Sequence, residues 1–386
     1  MEQQLPEASE ANEEPEATPA ALRRELGIVV LLAMAGALGF LGARVMAHGI
    51  EARRRVDAKM LFERGRTALE QGRVNGALKD LRKAAVIDRS DRTIAVYFAR
   101  ALRAAHEDAE AASVLGRLHS SQPDDVDVNV ELARVEAARG DLTRAVRNYE
   151  DALENLWDPT VAERSRALRL ELIELLLRSG LRSRALSHVL LLSADLPADK
   201  TWQMRAGELF LEAGDAKRAA AHFAAARQAA PDDPEALAGS ARAAFELGNY
   251  THAANYLNAL NTPATADLKA TVNAVLHLDP LAAHLSTTDR SQRLVTLLRF
   301  AQTRLAACTS AGPRSADMSD AARSLDALLA TLPPARDASA ADRERLESGL
   351  DLAVHVSHLT AGCAANDATD RAVVLIARSH GLTEAS

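Results

Sequence analysis

Residues 58–91 read AKMLFERGRTALEQGRVNGALKDLRKAAVIDRSD, and their pattern decides the fold of most of the chain. Two short stretches with the periodicity of amphipathic helices meet at Gly72. Small residues lie where the two helices would touch, and large apolar residues lie between them; these are Gly65, Ala77 and Ala84, and Leu61, Leu69, Leu81 and Ile87. The pattern returns with a period of 34 residues, which predicts a stack of helical hairpins.

Further blocks continue this pattern along the chain. They are 92–125, 126–159, 166–199, 200–233 and the shortened block 234–263. In each block a glycine or similar residue near position 15 is expected to end the first helix, because glycine tolerates a left-handed backbone conformation. A proline near position 32 is expected to stop the second helix. Residues 160–165 are extra, and they predict either a first helix about two turns longer than usual or a change in the pitch of the stack.

This spacing of small residues, glycine and proline resembles the tetratricopeptide repeat (TPR) family. The resemblance covers residues 58–263 well and residues 264–386 only loosely. It implies an all-α solenoid of TPR-type hairpins, with six repeats over 49–263. Residues 264–386 are then degenerate helical repeats or a C-terminal cap, because the last repeat of a solenoid has to cover an exposed apolar face.

The composition argues against several classes of function. A net charge of −7 and an aromatic fraction of 3% are unlike those of a nucleic-acid-binding surface, so no nucleic-acid partner is predicted. The 2 cysteines have neither the number nor the spacing of a zinc site. The sequence also lacks a glycine-rich phosphate loop, a nucleophile elbow and a metal-binding motif. We therefore predict no cofactor and no enzymatic activity.

The N-terminal segment predicts a membrane anchor. Residues 1–22 form an acidic tail whose composition is that of a disordered segment. The run LGIVVLLAMAGALGFLGA from Leu26 to Ala43 carries no charge. It predicts one transmembrane helix within 23–48 that contacts the lipid bilayer through residues 26–46, with a cleaved signal peptide as the alternative.

Two further expectations depend on that anchor. Arginines are more numerous after the apolar run than before it, which favours a cytoplasmic solenoid; a periplasmic or other extracytoplasmic solenoid is the alternative. The small residues Ala35, Gly39 and Ala43 form a stripe through which the anchor helices of a homo-oligomer could pack.

The resemblance also implies where partners bind, because the first helices of TPR-type repeats line the concave groove. Position 9 is Arg66, Arg100 and Arg134 in the first three repeats, Glu174 and Glu208 in the next two, and Arg242 in the sixth. Phe62, Val96, Tyr97 and Val130 would form an apolar floor. The first three arginines would then be a cationic ladder for an acidic segment of a partner protein. Alternatively, these arginines pair with acidic residues of their own helices.

The sequence as a whole predicts a membrane-anchored scaffold that binds segments of partner proteins in the TPR groove. An assembly factor or chaperone-like helper for membrane or envelope complexes is the alternative. A metal-dependent enzyme centred on His355 and His358 is a weaker one, because no second set of ligands accompanies these histidines. Cys308 and Cys363 end segments that would be neighbours in a stack of hairpins, so a disulfide between them is geometrically conceivable.

Overall fold

The computed structural model describes residues 19–156, 159–194, 196–260, 262–311, 315–332, 343–363 and 367–382. All regular structure within these ranges is helical, so the predicted all-α class is confirmed for the described residues. The helices are α1 (Pro19–Glu70), α2 (Val74–Ile87), α3 (Arg92–Ala104), α4 (Asp108–Ser121), α5 (Val126–Ala138), α6 (Leu142–Glu154), α7 (Ala162–Arg178), α8 (Arg182–Ser193), α9 (Lys200–Glu212), α10 (Ala216–Ala229), α11 (Pro234–Glu246), α12 (Tyr250–Asn258), α13 (Ala266–Leu278), α14 (Thr287–Ala311), α15 (Ala316–Thr331), α16 (Arg343–Leu359) and α17 (Ala368–Ser379). Most of the predicted acidic tail, residues 1–18, lies outside the described residues.

An aspartate begins the first helix of most repeats. Asp91, Asp125, Asp199 and Asp233 are N-caps, and each side chain accepts a hydrogen bond from the backbone amide three residues later. Such a bond satisfies one of the amides that have no partner within the helix. The capping residue therefore recurs with the repeat and fixes where each hairpin starts.

The turn between the two helices of a repeat uses a left-handed backbone residue at position 15. Glycine supplies it in five repeats, at Gly72, Gly140, Gly180, Gly214 and Gly248. The second repeat has His106 at this position, with a φ of 60°. A side chain is disfavoured in this conformation, so His106 is a strained version of the same turn.

Glycines also allow helices to approach each other closely. A Cβ atom added to Gly207 would lie 2.7 Å from the ring of Phe223, and one added to Gly239 would overlap the same ring. Phe223 is fully buried between these two first helices. The small residues of the repeat thus make room for a large side chain of the second helix.

The chain divides into two compact units, residues 1–168 and 169–386, which we call the first unit and the second unit. The division falls in α7, which follows a 3-10 turn at Pro159–Val161. α7 has 17 residues, whereas the first helix α9 of the next repeat has 13. α7 is thus about one turn longer than α9, and the 3-10 turn directly before it adds another turn, which agrees with the predicted lengthening of about two turns.

The end of the second unit does not continue the simple order of hairpins. α14 packs against α16, and the last helix, α17, returns to pack along α13. Arg371 of α17 donates hydrogen bonds to Asp267 and Thr271 of α13, over 2.5 and 3.1 Å. Cys308 of α14 and Cys363 after α16 form a disulfide, with their Cα atoms 5.2 Å apart. This returning arrangement covers the apolar side of α13.

The predictions of a membrane anchor and of membrane localisation are contradicted. Among the residues that the structure describes, no helix combines the length and the apolar character needed to cross a bilayer. The predicted span, 26–46, lies within α1, and the side chains of α1 before Leu31 are outside the description. The predicted lipid contact, the homo-oligomer through this helix and the two choices of membrane face lose their support with it.

Candidate binding surface

Arg66, the first arginine of the predicted ladder, is held by acidic residues of its own helix. Its Nη2 lies 3.0 Å from Oε2 of Glu63, and its Nε lies 3.7 Å from Oε1 of Glu70. Both partners are within one turn of α1, which is the spacing of helical ion pairs. The alternative interpretation of the ladder, pairing within the same helix, therefore describes Arg66.

Arg100 and Arg134 converge on one buried carboxylate, that of Glu131, so the same-helix alternative also describes Arg134, whose partner lies three residues before it on α5. Nε of Arg100 on α3 and Nη1 of Arg134 on α5 each donate a hydrogen bond of 2.8 Å to Oε1 of Glu131. Arg103 of α3 approaches the other carboxylate oxygen, with its Nε 3.7 Å from Oε2. The side chain of Glu131 is 1% exposed, whereas those of the three arginines are 29–37% exposed. We call these four residues the arginine cluster.

Aromatic side chains extend the arginine cluster along α3 and α1. The guanidinium carbon of Arg100 lies 4.8 Å from the centre of the Tyr97 ring, a cation–π contact. Tyr97 in turn packs edge-to-face on Phe62, with ring centres 5.2 Å apart. Both rings are half-buried, so they remain accessible beside the guanidiniums.

The two valines of the predicted floor lie deeper than the aromatic residues. Val96 is 3% exposed and Val130 is 6% exposed. Val96 belongs to the apolar core of the first unit, together with Phe98 and Leu102. These valines support the surface from below and offer little area to a ligand.

The second unit repeats this contact with the charges reversed. Glu174 of α7 and Glu208 of α9, the position-9 residues, both face Arg205 of α9. Nη2 of Arg205 donates a 2.6 Å hydrogen bond to Oε1 of Glu174, and its Nη1 lies 3.5 Å from Oε2 of Glu208. We call these three residues the glutamate cluster. Arg242, the position-9 residue of the next repeat, is exposed.

Arg103, Arg205 and the bond from Arg100 to Glu131 were missed in the sequence, where Glu131 was expected only as the same-helix partner of Arg134. The signal that could have found two of them is a pair of opposite charges 31 residues apart, which joins Arg100 to Glu131 and Glu174 to Arg205. This separation leads from position 9 of one repeat to position 6 of the next. Both positions lie on first helices, which stack side by side in such an array.

The described residues show no set of ligands for the C-terminal metal site that was considered as an alternative. His355 and His358 are both exposed on α16. Among the described residues, no group of three or more histidine, cysteine, aspartate or glutamate side chains is placed to hold a metal ion.

One family model matches the chain. It is that of the tetratricopeptide repeat, and it matches residues 210–270, from the end of α9 to the middle of α13. The predicted relationship to the TPR family is thus supported. No curated protein matches the chain.

Several solved TPR structures are similar to parts of the chain. A thermophilic TPR protein of Thermus thermophilus is 21% identical, with 49% of this chain and 98% of that one covered and a TM-score of 0.34. YrrB, described as a TPR protein with an unusual peptide-binding site, is 17% identical, with coverages of 46% and 89% and a TM-score of 0.37. The C-terminal part of a TPR protein from Cytophaga hutchinsonii is 13% identical, with coverages of 75% and 99% and a TM-score of 0.42. At these TM-scores the similarities carry no weight for function.

Proposed function

We propose that this chain is a protein-interaction scaffold whose first unit binds an acidic segment of a partner at the arginine cluster. TPR proteins generally mediate contacts between proteins, and they are typically binding modules without catalytic activity. The observation that carries the proposal is the shared use of Glu131, whose single carboxylate faces Arg100, Arg103 and Arg134. Within the described residues Arg100 and Arg103 of α3 share this single carboxylate, which balances the charge of the two guanidiniums only in part.

The geometry of the cluster suits a carboxylate ligand. Glu131 and the Tyr97 ring hold the Arg100 guanidinium in place, so little side-chain entropy is lost when it binds. The arginine side chains are about one-third exposed, and a partly desolvated charge interacts more strongly than one in bulk water. A guanidinium can also bind a carboxylate through two parallel hydrogen bonds. Arg66 is not part of the proposed site, because two glutamates of α1 already hold it.

The test is the affinity of the full chain for a fluorescein-labelled peptide that contains four consecutive glutamates, measured by fluorescence anisotropy. The double variant Arg100→Gln/Arg103→Gln is expected to bind about 100-fold more weakly, since each lost charge-assisted hydrogen bond weakens binding by about tenfold. Raising the ionic strength should weaken binding to the unchanged protein. Arg117→Gln is the matched control, because Arg117 is exposed on the second helix α4 of the same repeat.

Two outcomes would contradict the proposal. One is equal binding of a peptide in which the glutamates are replaced by glutamines. The other is unchanged affinity in the double variant when its circular dichroism melting curve matches that of the unchanged protein. If Arg117→Gln lost as much affinity as the double variant, the loss would reflect a general effect of charge. That result would count against a site at Arg100 and Arg103.

A further inference from the structure

The returning helix α17 closes a pocket within the second unit. Its walls come from α11, α14, α16 and α17, and its volume is about 440 Å³. Pockets that hold small ligands or single side chains of a peptide fall in this range of sizes. The pocket is far in sequence from the arginine cluster and shares no residue with it.

The inner wall of the pocket is built around a buried ion pair. The guanidinium of Arg304 pairs with the carboxylate of Asp370, and these side chains are 7% and 5% exposed. Nε of Arg304 also donates a 3.0 Å hydrogen bond to Oγ1 of Thr360. The disulfide between Cys308 and Cys363 joins the same two segments one turn further along. This wall is therefore fixed before any ligand arrives.

The outer wall is one face of α17. Arg371, Val374, Leu375 and Arg378 are spaced three or four residues apart, so they lie along one side of the helix. All four line the pocket, and the Phe245 ring of α11 lines it as well. The pocket therefore combines apolar surface with a guanidinium at each end of that surface.

The two guanidiniums of this face differ in what already holds them. Arg371 is oriented by its hydrogen bonds to Asp267 and Thr271. Arg378 is exposed, and within the described part of the chain it forms no ion pair. Its charge lowers the pKa of the nearby Tyr250 hydroxyl, although burial, the largest influence, raises that pKa overall. Arg378 is thus the guanidinium of the pocket that is free of an ion pair among the described residues.

We propose that this pocket binds a carboxylate that is attached to an apolar group. Arg378 would receive the carboxylate, and Phe245, Val374 and Leu375 would contact the apolar group. The C-terminal residue of a peptide and a small organic acid both carry this chemistry. The pocket is separate from the proposed peptide surface, so either proposal can fail without the other.

The test uses the full chain and isothermal titration calorimetry with N-acetyl-leucine and N-acetyl-phenylalanine as probes. Their amides, N-acetyl-leucinamide and N-acetyl-phenylalaninamide, are the matched uncharged controls. The acids are expected to bind saturably and the amides at least about tenfold more weakly, since a charge-assisted hydrogen bond is lost. Arg378→Gln should weaken binding of the acids by a similar factor. Arg345→Gln, at an exposed site of α16 outside the pocket lining, should not.

A peptide arm distinguishes the two sources of the carboxylate. A tripeptide ending in leucine with a free carboxyl end should bind more tightly than N-acetyl-leucine if the pocket serves a peptide terminus, and no more tightly if it serves a small acid. Equal binding of acids and amides would overturn the proposal, because the pocket would then be selective only for apolar groups. Absence of binding up to the solubility limit of the acids would overturn it as well. An unchanged melting curve of Arg378→Gln excludes misfolding as the cause of a loss.

Discussion

Arg100 in the first unit and Glu174 in the second unit occupy the same position of their repeats. Each bonds a side chain of opposite charge 31 residues later, at position 6 of the following repeat. The bond lengths are similar, 2.8 Å from Arg100 to Glu131 and 2.6 Å from Arg205 to Glu174. The stacking of first helices therefore fixes which two positions pair. The side chains at these positions decide which of the two carries the positive charge.

The difference between the clusters lies in which partner is buried. Glu131 is short and 1% exposed, so the arginines around it form the surface. Arg205 is long and 35% exposed, and it reaches between two glutamates that are 43% and 39% exposed. The first unit thus presents mainly guanidiniums at this position, and the second unit presents mainly carboxylates.

The largest expected effect tests this difference in burial. Glu131→Gln removes the buried carboxylate and leaves Arg100, Arg103 and Arg134 without it, so we expect a loss of about 3 kcal/mol in the local free energy of unfolding. Arg205→Gln should cost less than about 1 kcal/mol, because its pairs are partly exposed and screened by solvent. Hydrogen exchange measured by mass spectrometry would report the two losses at α5 and α9. Equal losses would mean that burial does not distinguish the clusters.

The repeat pattern could be predicted because it depends on local chemistry. Gly140 and Gly214 end first helices through backbone conformation, and Asp125 and Asp233 begin the next ones through a bond to a nearby amide. Such features need only a few neighbouring residues, so each leaves a mark in the sequence. The predicted blocks at 92, 126, 200 and 234 therefore begin where first helices begin, whereas α7 begins at Ala162, four residues before the block predicted at 166.

The features that sequence analysis missed depend on contacts between distant residues. The role of Glu131 comes from the first helix of the preceding repeat, and the pocket comes from the return of α17 to α13. Val96 and Tyr97 are adjacent and were both assigned to the groove, yet only Tyr97 is accessible there. The angle of each helix to its neighbours decides this, and the period of the repeat does not specify that angle. The membrane anchor was predicted only from the hydropathy of residues 26–43, and the described helices do not support it.

A smaller effect concerns the turn that both units share. His106 of the first unit holds a φ of 60°, whereas the second unit has glycine at each such turn. His106→Gly should raise the local free energy of unfolding by about 0.5–1 kcal/mol, because glycine adopts this conformation without steric strain. The reverse change, Gly248→His, should lower it by about 1 kcal/mol. Hydrogen exchange of α3 and of α11 would measure the two changes in stability. A loss of stability in His106→Gly would show that contacts of the histidine side chain stabilise the fold by more than the backbone strain destabilises it.

The smallest effect concerns an ion pair between neighbouring repeats. It joins the first residue of one repeat's first helix to the aspartate that caps the first helix of the following repeat. Arg92 bonds Asp125 in the first unit, and Lys200 bonds Asp233 in the second over 2.5 Å. The Lys200 hydrogen bond is the main cause of a lowered pKa of Asp233. Burial by itself would raise the pKa of Asp125, but the bonds from Arg92 and from the Val128 amide lower it overall. Both pairs thus favour the ionised aspartate in the folded state.

A lowered folded-state pKa gives stability that is present above the unfolded-state pKa of about 3.9 and is lost as pH falls through the folded value. Lys200→Met should therefore cost about 0.5 kcal/mol at neutral pH and nothing at a pH below both values, because Asp233 is then protonated with or without the lysine. Arg92→Met should cost more at neutral pH, since Arg92 also pairs with Asp127 at 2.7 Å. Urea unfolding as a function of pH, followed by hydrogen exchange at α5 and α11, separates the two. A difference between Lys200→Met and the unchanged protein that persisted in acid would assign the loss to the packing of the lysine stem and not to its charge.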